Sequence, residues 1–148
     1  MASAPIRVYL DNCCFNRPFD DQGQVRVRLE TEAKLEIQRR VKDKELELAW
    51  SYMLDHENRA NPFEERREVI APWKRAATVD VAETSDVLLR AKEIASRGIQ
   101  PSDSLHIACA IAAGSAFFLT TDDLIVKKMR GYSGIAVMDP TQFVIEVQ

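Results

Sequence analysis

The chain has 148 residues, of which 46% are hydrophobic and 29% are charged, as in a single soluble globular domain. Its apolar stretches are too short to span a bilayer, and the N-terminal one stops at an acid, so we expect neither a membrane helix nor a signal peptide. The net charge of −3 excludes a global positive field for nucleic acid, and three cysteines are expected to be free thiols in a cytoplasmic protein.

Strands and helices are predicted to alternate along one domain, residues 1–148. Short apolar runs predict strands at 6–10, 46–51, 77–81, 116–121 and 134–139. Helical patterns are expected at 25–41, 52–60, 63–72, 86–98, 101–114 and 122–131. In the first of these, an apolar residue recurs every four positions: Val25, Leu29, Ala33, Ile37 and Val41. Apolar strands separated by helices predict an α/β fold whose mostly parallel sheet of four or five strands is covered on both faces.

Four carboxylates follow the ends of the expected strands. Asp11 comes directly after the first strand, and Glu57 lies on the helix after the second. Asp103 opens the helix at 101–114, and Asp122 follows the strand at 116–121. Ligands of parallel α/β sheets bind outside the carboxyl ends of the strands, so we expect these four side chains to share one site.

Each acid taken singly has an ordinary structural explanation, as a helix cap, a turn residue or a solvated side chain. Two carboxylates about 4 Å apart repel one another by about 4 kcal/mol at an effective dielectric constant near 20, so four of them together need a cation. Oxygen ligands favour Mg²⁺ or Mn²⁺, and such an ion can polarise a phosphoryl oxygen and activate water. The pattern therefore indicates metal-dependent phosphodiester hydrolysis.

Four sequence motifs also match a known family over nearly the whole chain. They are "VYLDNCCFN" with Asp11, "SYMLDHEN" with Glu57, "GIQPSDSLHIACAIAAG" with Asp103, and "FFLTTDD" with Thr120 and Asp122. In this order and at these spacings the chain resembles the PIN domain family, which includes small metal-dependent ribonucleases such as the VapC-type toxins.

The resemblance implies a doubly wound, three-layer α/β/α fold and a Mg²⁺- or Mn²⁺-dependent endoribonuclease acting on single-stranded RNA. It further implies a homodimer and, for a toxin of a toxin–antitoxin pair, an inhibitory antitoxin protein. The expected catalytic residues and metal ligands are Asp11, Glu57, Asp103 and Asp122, with Asp123 as a further ligand. Supporting or substrate-binding roles are expected for Asn12, Arg17, Thr120 and His106.

The chain departs from the family pattern at two positions. Where the family has Ser, Thr or Asn two residues after its first acid, this chain has Cys13, with Asn12 adjacent. Where another acid is common three residues after the last one, this chain has Ile125, and Asp123 is the expected substitute. The departure at Ile125 motivates an alternative, a catalytically weak PIN-like module that binds protein or RNA. A phospho-acceptor receiver domain is disfavoured because the first strand does not end in an acid pair.

Three other features have competing interpretations. Zinc binding by the cysteines and His106 is disfavoured, because adjacent cysteines of an extended chain point to opposite faces, and we expect all three cysteines to be buried core residues. His106, three residues after Asp103, is either a packed core histidine or a hydrogen-bond donor beside the metal. Arg17 follows Asp11 closely, where a phosphate bound to the cation would pass.

Overall fold

A computed structural model describes residues 4–148. Its strands are β1 (Ile6–Leu10), β2 (Leu46–Ser51), β3 (Val79–Val81), β4 (Phe117–Leu119) and β5 (Ala136–Met138). They form one sheet of order β3-β2-β1-β4-β5, in which every neighbouring pair is parallel. The predicted doubly wound, parallel α/β fold is confirmed.

Helices flank this sheet in a three-layer arrangement. Their bounds are α1 (Asn12–Asn16), α2 (Val25–Lys42), α3 (Tyr52–Arg59), α4 (Glu64–Ile70), α5 (Trp73–Ala76), α6 (Ser85–Ala95), α7 (Pro101–Ala112), α8 (Asp123–Lys128) and α9 (Pro140–Glu146), with a 3₁₀ turn at Arg17–Phe19. Three of them, α1, α5 and α9, were not predicted from the sequence. Across residues 4–148, none of the helices has the length and apolar character that a membrane crossing needs.

The central strands are buried on both faces, which explains why their sequences do not alternate between apolar and polar residues. In β1 the consecutive residues Val8, Tyr9 and Leu10 are all buried, and in β2 the same is true of the run from Leu48 to Ser51. Helix α7 packs on β2 and β4, while α2 packs against β2 and α9. The core therefore lies between the sheet and its helical layers.

The point at which the strand order reverses determines where a ligand can bind at the edge of the sheet. The chain builds outward from β1 through β2 to β3, then returns to the other side of β1 for β4 and β5. The carboxyl ends of β1 and β4 lie side by side at this reversal, where the backbone N–H of Asp11 donates to the carbonyl of Leu119 at 2.9 Å. This is the crevice in which open α/β sheets bind their ligands.

The buried face of α2 differs from the predicted one. Val25 and Leu29 are 60% and 52% exposed, although the four-residue spacing assigned them to the core. A strict spacing of four residues advances by about 40° at each step, so over four steps the row rotates by about 160° around the helix. The stripe that stays on one face alternates steps of three and four and includes polar residues: Val27, Glu30, Lys34, Ile37 and Val41.

Candidate metal centre

The four predicted carboxylates line one open cleft at the carboxyl edge of the sheet. The cleft has a volume of about 480 Å³, and its lining comprises Asp11, Asn12, Cys13, Arg17, Glu57, Asp103, Thr121 and Asp122. Potential ligand atoms of Asp11, Glu57 and His106 lie within 4.8 Å of one another. Asp103 and Asp122 line the same cleft outside this tight group.

Asp11 is held in place by the helix that it starts and by the neighbouring strand. Its Oδ1 accepts a hydrogen bond from the backbone N–H of Asn12 at 2.8 Å, which caps α1. Its Oδ2 accepts from the hydroxyl of Thr120 at 2.9 Å, just beyond the end of β4. The side chain is only 7% exposed, so these two bonds set the direction of a nearly buried carboxylate.

Thr120 also connects Asp11 to the last acid of the site. Its buried Oγ1 accepts from the backbone N–H of Asp122 at 3.2 Å while it donates to Asp11. Asp122 in turn caps α8, because its Oδ1 accepts from the N–H groups of Leu124 and Ile125 at 2.9 and 3.4 Å. Asp122 therefore caps a helix and also lines the cleft, so the two roles expected for it do not exclude each other.

Glu57 is oriented by a chain of buried side chains from β1, β2 and α7. Its Oε1 lies 2.8 Å from Nε2 of His106, whose Nδ1 lies 2.7 Å from the hydroxyl of Tyr9. The Tyr9 hydroxyl lies 2.6 Å from Oγ of Ser51. Tyr9, Ser51 and His106 have no exposed surface, so this chain of hydrogen bonds is shielded from water.

The proton positions along this chain follow from the carboxylate at its end. An ionised Glu57 only accepts, so Nε2 of His106 donates to it. In a neutral ring Nδ1 then accepts from Tyr9, and Tyr9 accepts from Ser51. Burial alone lowers the pKa of His106, but the hydrogen bond to Glu57 and the charges of Asp11, Glu57 and Asp103 outweigh it, and the net shift is upward. His106 is thus packed in the core and also donates to a cleft carboxylate.

The pKa of Asp103 reflects both its burial and the negative charges around it. Burial, together with the charges of Asp11 and Asp122, raises its pKa from 3.8 to about 6. The lining includes a single basic side chain, Arg17, which already pairs with Asp20 and Glu30 at 3.0 Å each. Within the part of the chain that the structure describes, the cleft therefore concentrates negative charge without a matching protein cation.

Asp123 is not brought together with the other acids. Both of its oxygens pair with the guanidinium of Arg26 on α2 at 2.6 Å, and this hydrogen bonding lowers the pKa of Asp123. Arg26 also contacts Glu30, at 3.3 Å. The predicted substitution of Asp123 for the acid missing at Ile125 is not seen, because a bidentate ion pair holds the carboxylate elsewhere and Ile125 is buried.

A comparison of the sequence with protein-family models shows to which family the chain belongs. The family model described as the PIN domain matches residues 8–130, most of the chain. The chain belongs to the PIN domain family. The resemblance seen in the sequence motifs is confirmed, and the matched segment contains all four cleft carboxylates.

Among solved structures, this PIN domain is similar to a chain in the crystal structure of VapBC2 from Rickettsia felis bound to a DNA fragment from their promoter. The TM-score is 0.56 and the sequence identity 12%, and the match covers 90% of this chain and 98% of that chain. At this identity the likeness concerns the fold. A comparison with curated proteins gave no match.

The prediction that all three cysteines of this PIN domain are buried core residues holds for Cys14 and Cys109 but was wrong for Cys13, which is only partly buried and lines the cleft. Cys13 Sγ lies 3.5 Å from Oδ2 of Asp11 and 3.6 Å from Oγ1 of Thr120, so the thiol contacts the Asp11 carboxylate. The expectation of an extended chain at Cys13 and Cys14 was wrong, since both belong to α1. Cys14 turns into the core and donates to the carbonyl of Leu119 at 3.4 Å.

The donor atoms of the cleft suit a hard divalent cation. The four carboxylates offer oxygen, which Mg²⁺ and Mn²⁺ prefer, whereas both ring nitrogens of His106 are already hydrogen-bonded within the protein. Oδ1 of Asn12, which also lines the cleft, is buried without a hydrogen-bond partner in the described part of the chain. A bound cation or its water would satisfy that atom and offset the charge that raises the pKa of Asp103.

Sequence reasoning missed several residues that support this centre. Tyr9 and Ser51 were assigned only to strands, although a buried tyrosine hydroxyl normally has a hydrogen-bond partner and was a usable signal. Glu30, which holds Arg17 in place, was not singled out in the sequence. No local sequence pattern indicates this role of Glu30, because its partner Arg17 lies 13 residues away along the chain.

Proposed function

We propose that this PIN domain is a Mg²⁺- or Mn²⁺-dependent endoribonuclease that cleaves single-stranded RNA, with Asp11, Glu57, Asp103 and Asp122 as metal ligands. The observation that supports this most directly is the convergence of the four acids on one cleft, which has no free protein cation in its described lining. Membership of a family of nucleases makes hydrolysis of a phosphodiester the natural use of such a centre.

The metal, when bound, would polarise a phosphoryl oxygen and lower the pKa of a coordinated water. The protein's part is to hold the ligands in fixed directions. The Thr120 hydroxyl and the N–H of Asn12 orient Asp11, while His106 orients Glu57. Hydrogen bonds that orient metal ligands commonly change metal affinity by about 10–100-fold when they are removed.

Arg17, although paired with two acids, offers the cleft positioned N–H donors for the RNA backbone. Its Nε and one terminal nitrogen pair with Glu30 and Asp20, which fixes the plane of the guanidinium. A guanidinium carries five N–H donors, so others remain for a phosphate. In this role Arg17 would position the substrate while the carboxylates hold the metal.

The proposal extends to a cytoplasmic toxin that forms a homodimer and is inhibited by an antitoxin protein. This part is supported by the fold shared with a chain of the VapBC2 structure from Rickettsia felis and by the sequence resemblance to VapC-type toxins. Coexpression with the product of an adjacent reading frame, followed by purification and size measurement, tests it. Failure of the two proteins to copurify, with toxicity unchanged by coexpression, would contradict the toxin–antitoxin assignment.

A second candidate, a PIN-like interaction module with weak catalysis, is favoured by one observation. Asp123 is held by Arg26 and Ile125 is buried, so the side of the cleft next to Asp122 lacks a further acid there. With fewer acids in the cleft, the affinity for a second metal ion would be lower. RNA cleavage that requires Mn²⁺ and is lost in EDTA would exclude this candidate.

The main test combines metal binding and cleavage in one pair of variants. Asp103→Asn removes a proposed ligand from the first turn of α7, and Asp86→Asn removes an exposed acid from the first turn of α6 as a matched control. We expect calorimetry to show Mn²⁺ binding that Asp103→Asn weakens strongly and Asp86→Asn leaves unchanged, with cleavage of single-stranded RNA following the same order. Equal Mn²⁺ affinity in all three proteins would contradict the assignment of the site.

A further inference from the structure

A second cavity lies next to the metal cleft. It has a volume of about 200 Å³, and its lining includes Gly98, Ile99, Asp103, Asp122, Leu124 and Lys128. Asp103 and Asp122 line both spaces, so the cavity adjoins the cleft at these two acids. We call the smaller space the flanking cavity.

The flanking cavity differs from the cleft in its chemistry. Beyond the two shared acids, its lining consists of Gly98, Gln100, Lys128 and three aliphatic residues, of which Leu124 is exposed while Ile99 and Ile125 are largely buried. Leu124 is 58% exposed in the first turn of α8, so its side chain offers apolar surface to this cavity. An apolar wall beside a single cation matches a nucleotide, whose base packs on apolar surface and whose phosphate pairs with an ammonium.

Lys128 is held at the edge of the flanking cavity by the backbone. Its Nζ donates to the carbonyl of Gly98 at 2.7 Å. Gly98 has a φ of +87°, and a Cβ there would lie 3.4 Å from the same Nζ, so glycine both permits this turn and leaves room for the amine. An ammonium has three donors, of which Gly98 uses one, and the others remain for a phosphate.

We infer that the flanking cavity binds the nucleotide adjacent to the scissile phosphate, with its base against Leu124 and its phosphate paired with Lys128. This inference rests on the proposed nuclease function. It gives the RNA a path from Arg17 on the lining of the cleft, past the four acids, to Lys128 on the lining of the flanking cavity. A trinucleotide would therefore bind more tightly than a dinucleotide that ends at the metal.

The test compares Lys128→Gln with Lys127→Gln. Glutamine keeps a donor for the Gly98 carbonyl and removes the charge, and Lys127 is the exposed neighbour on the same helix that does not line the cavity. With a short mixed-sequence single-stranded RNA at saturating Mn²⁺, we expect Lys128→Gln to raise KM roughly fivefold while kcat changes little. The slope of log KM against log salt concentration should fall by about 0.7, the loss of one single-strand phosphate contact.

Three further measurements make the result specific. Lys128→Arg should restore KM and the salt slope, and Lys127→Gln should leave both as in the wild type. Leu124→Ala should raise KM for the trinucleotide and not for the dinucleotide. Mn²⁺ affinity should be the same in every variant, since none of these residues is a proposed ligand.

The outcomes separate this inference from the function on which it rests. If the wild type cleaves RNA but Lys128→Gln and Lys127→Gln share its KM and salt slope, the flanking cavity is not a nucleotide site and the nuclease function stands. If the wild type neither binds nor cleaves RNA with Mn²⁺ present, the proposed function is wrong and the inference falls with it.

Discussion

Replacing Asp103 with asparagine should stabilise the metal-free protein, even though it removes a proposed metal ligand. Asparagine has nearly the shape of aspartate and carries no charge. The folded protein raises the pKa of Asp103 from 3.8 to about 6 through burial and the charges of Asp11 and Asp122. Ionised Asp103 is therefore less stable in the folded protein than in the unfolded chain, and the substitution removes that cost.

The size of the effect follows from the pKa. At 1.36 kcal/mol for each tenfold change in proton affinity, a rise from 3.8 to about 6 corresponds to about 3 kcal/mol, and partial exposure of the side chain reduces this to about 1–3 kcal/mol. For a domain of this length each kcal/mol shifts Tm by about 3 °C. We expect Asp103→Asn to melt several degrees above the wild type in EDTA at pH 7.

The pH dependence has a definite sign. The folded state binds the proton of Asp103 more tightly than the unfolded chain does, so this group makes the wild type less stable as pH rises from about 4 to about 6. The advantage of Asp103→Asn should therefore vanish near pH 4 and be complete by pH 7. Thermal melts in EDTA across this range, with Asp86→Asn as control, measure it.

Added metal should reverse the order of stability. A ligand at a hundred times its Kd stabilises the folded state by about 2.7 kcal/mol, and only the protein with an intact site gains this fully. If Asp103→Asn is no more stable than the wild type in EDTA at pH 7, the acids do not repel one another as described. In that case the main argument for a cation in the cleft is refuted.

Three further substitutions test individual contacts. Asp123→Asn should leave Mn²⁺ affinity unchanged, because its carboxylate is held by an arginine outside the cleft; calorimetry showing weaker binding would make it a ligand after all. His106→Gln should weaken Mn²⁺ binding by about tenfold, since Glu57 loses the donor that orients it, and an unchanged affinity would show that Glu57 needs no such support. Thr120→Val leaves Oδ2 of Asp11 without its hydroxyl donor, which should cost about 1–3 kcal/mol in urea unfolding of the metal-free protein; a smaller loss would mean that water replaces the hydroxyl.

The strands could be predicted from the sequence where a run of apolar residues forms a strand that is buried on both faces of the sheet. Expected strands at 6–10 and 46–51 match β1 and β2, because these central strands are covered on both faces. The expected strand at 116–121 is longer than β4, since the last residues of the run leave the ladder to build the site. Helix α9 was missed, although Asp139 and Pro140 are a regular N-cap and first helical residue.

The sequence by itself determined the order of the five strands and of the longer helices between them, and the placement of acids at strand ends. Both depend on local periodicity and on the rule that ligands of parallel sheets bind at the carboxyl ends of the strands. The tertiary structure decided which of two adjacent acids enters the cleft. Asp122 caps α8 and lines the cleft, while Asp123 is drawn to Arg26, 97 residues away along the chain.

The tertiary structure also decided the role of His106. An apolar helix with one histidine is compatible with a packed core residue or with a donor to the metal site, and the sequence does not distinguish them. Its two nitrogens meet Tyr9 and Glu57, which lie 97 and 49 residues away. Such contacts depend on how β1, α3 and α7 pack together, and no short stretch of sequence encodes the distances between them.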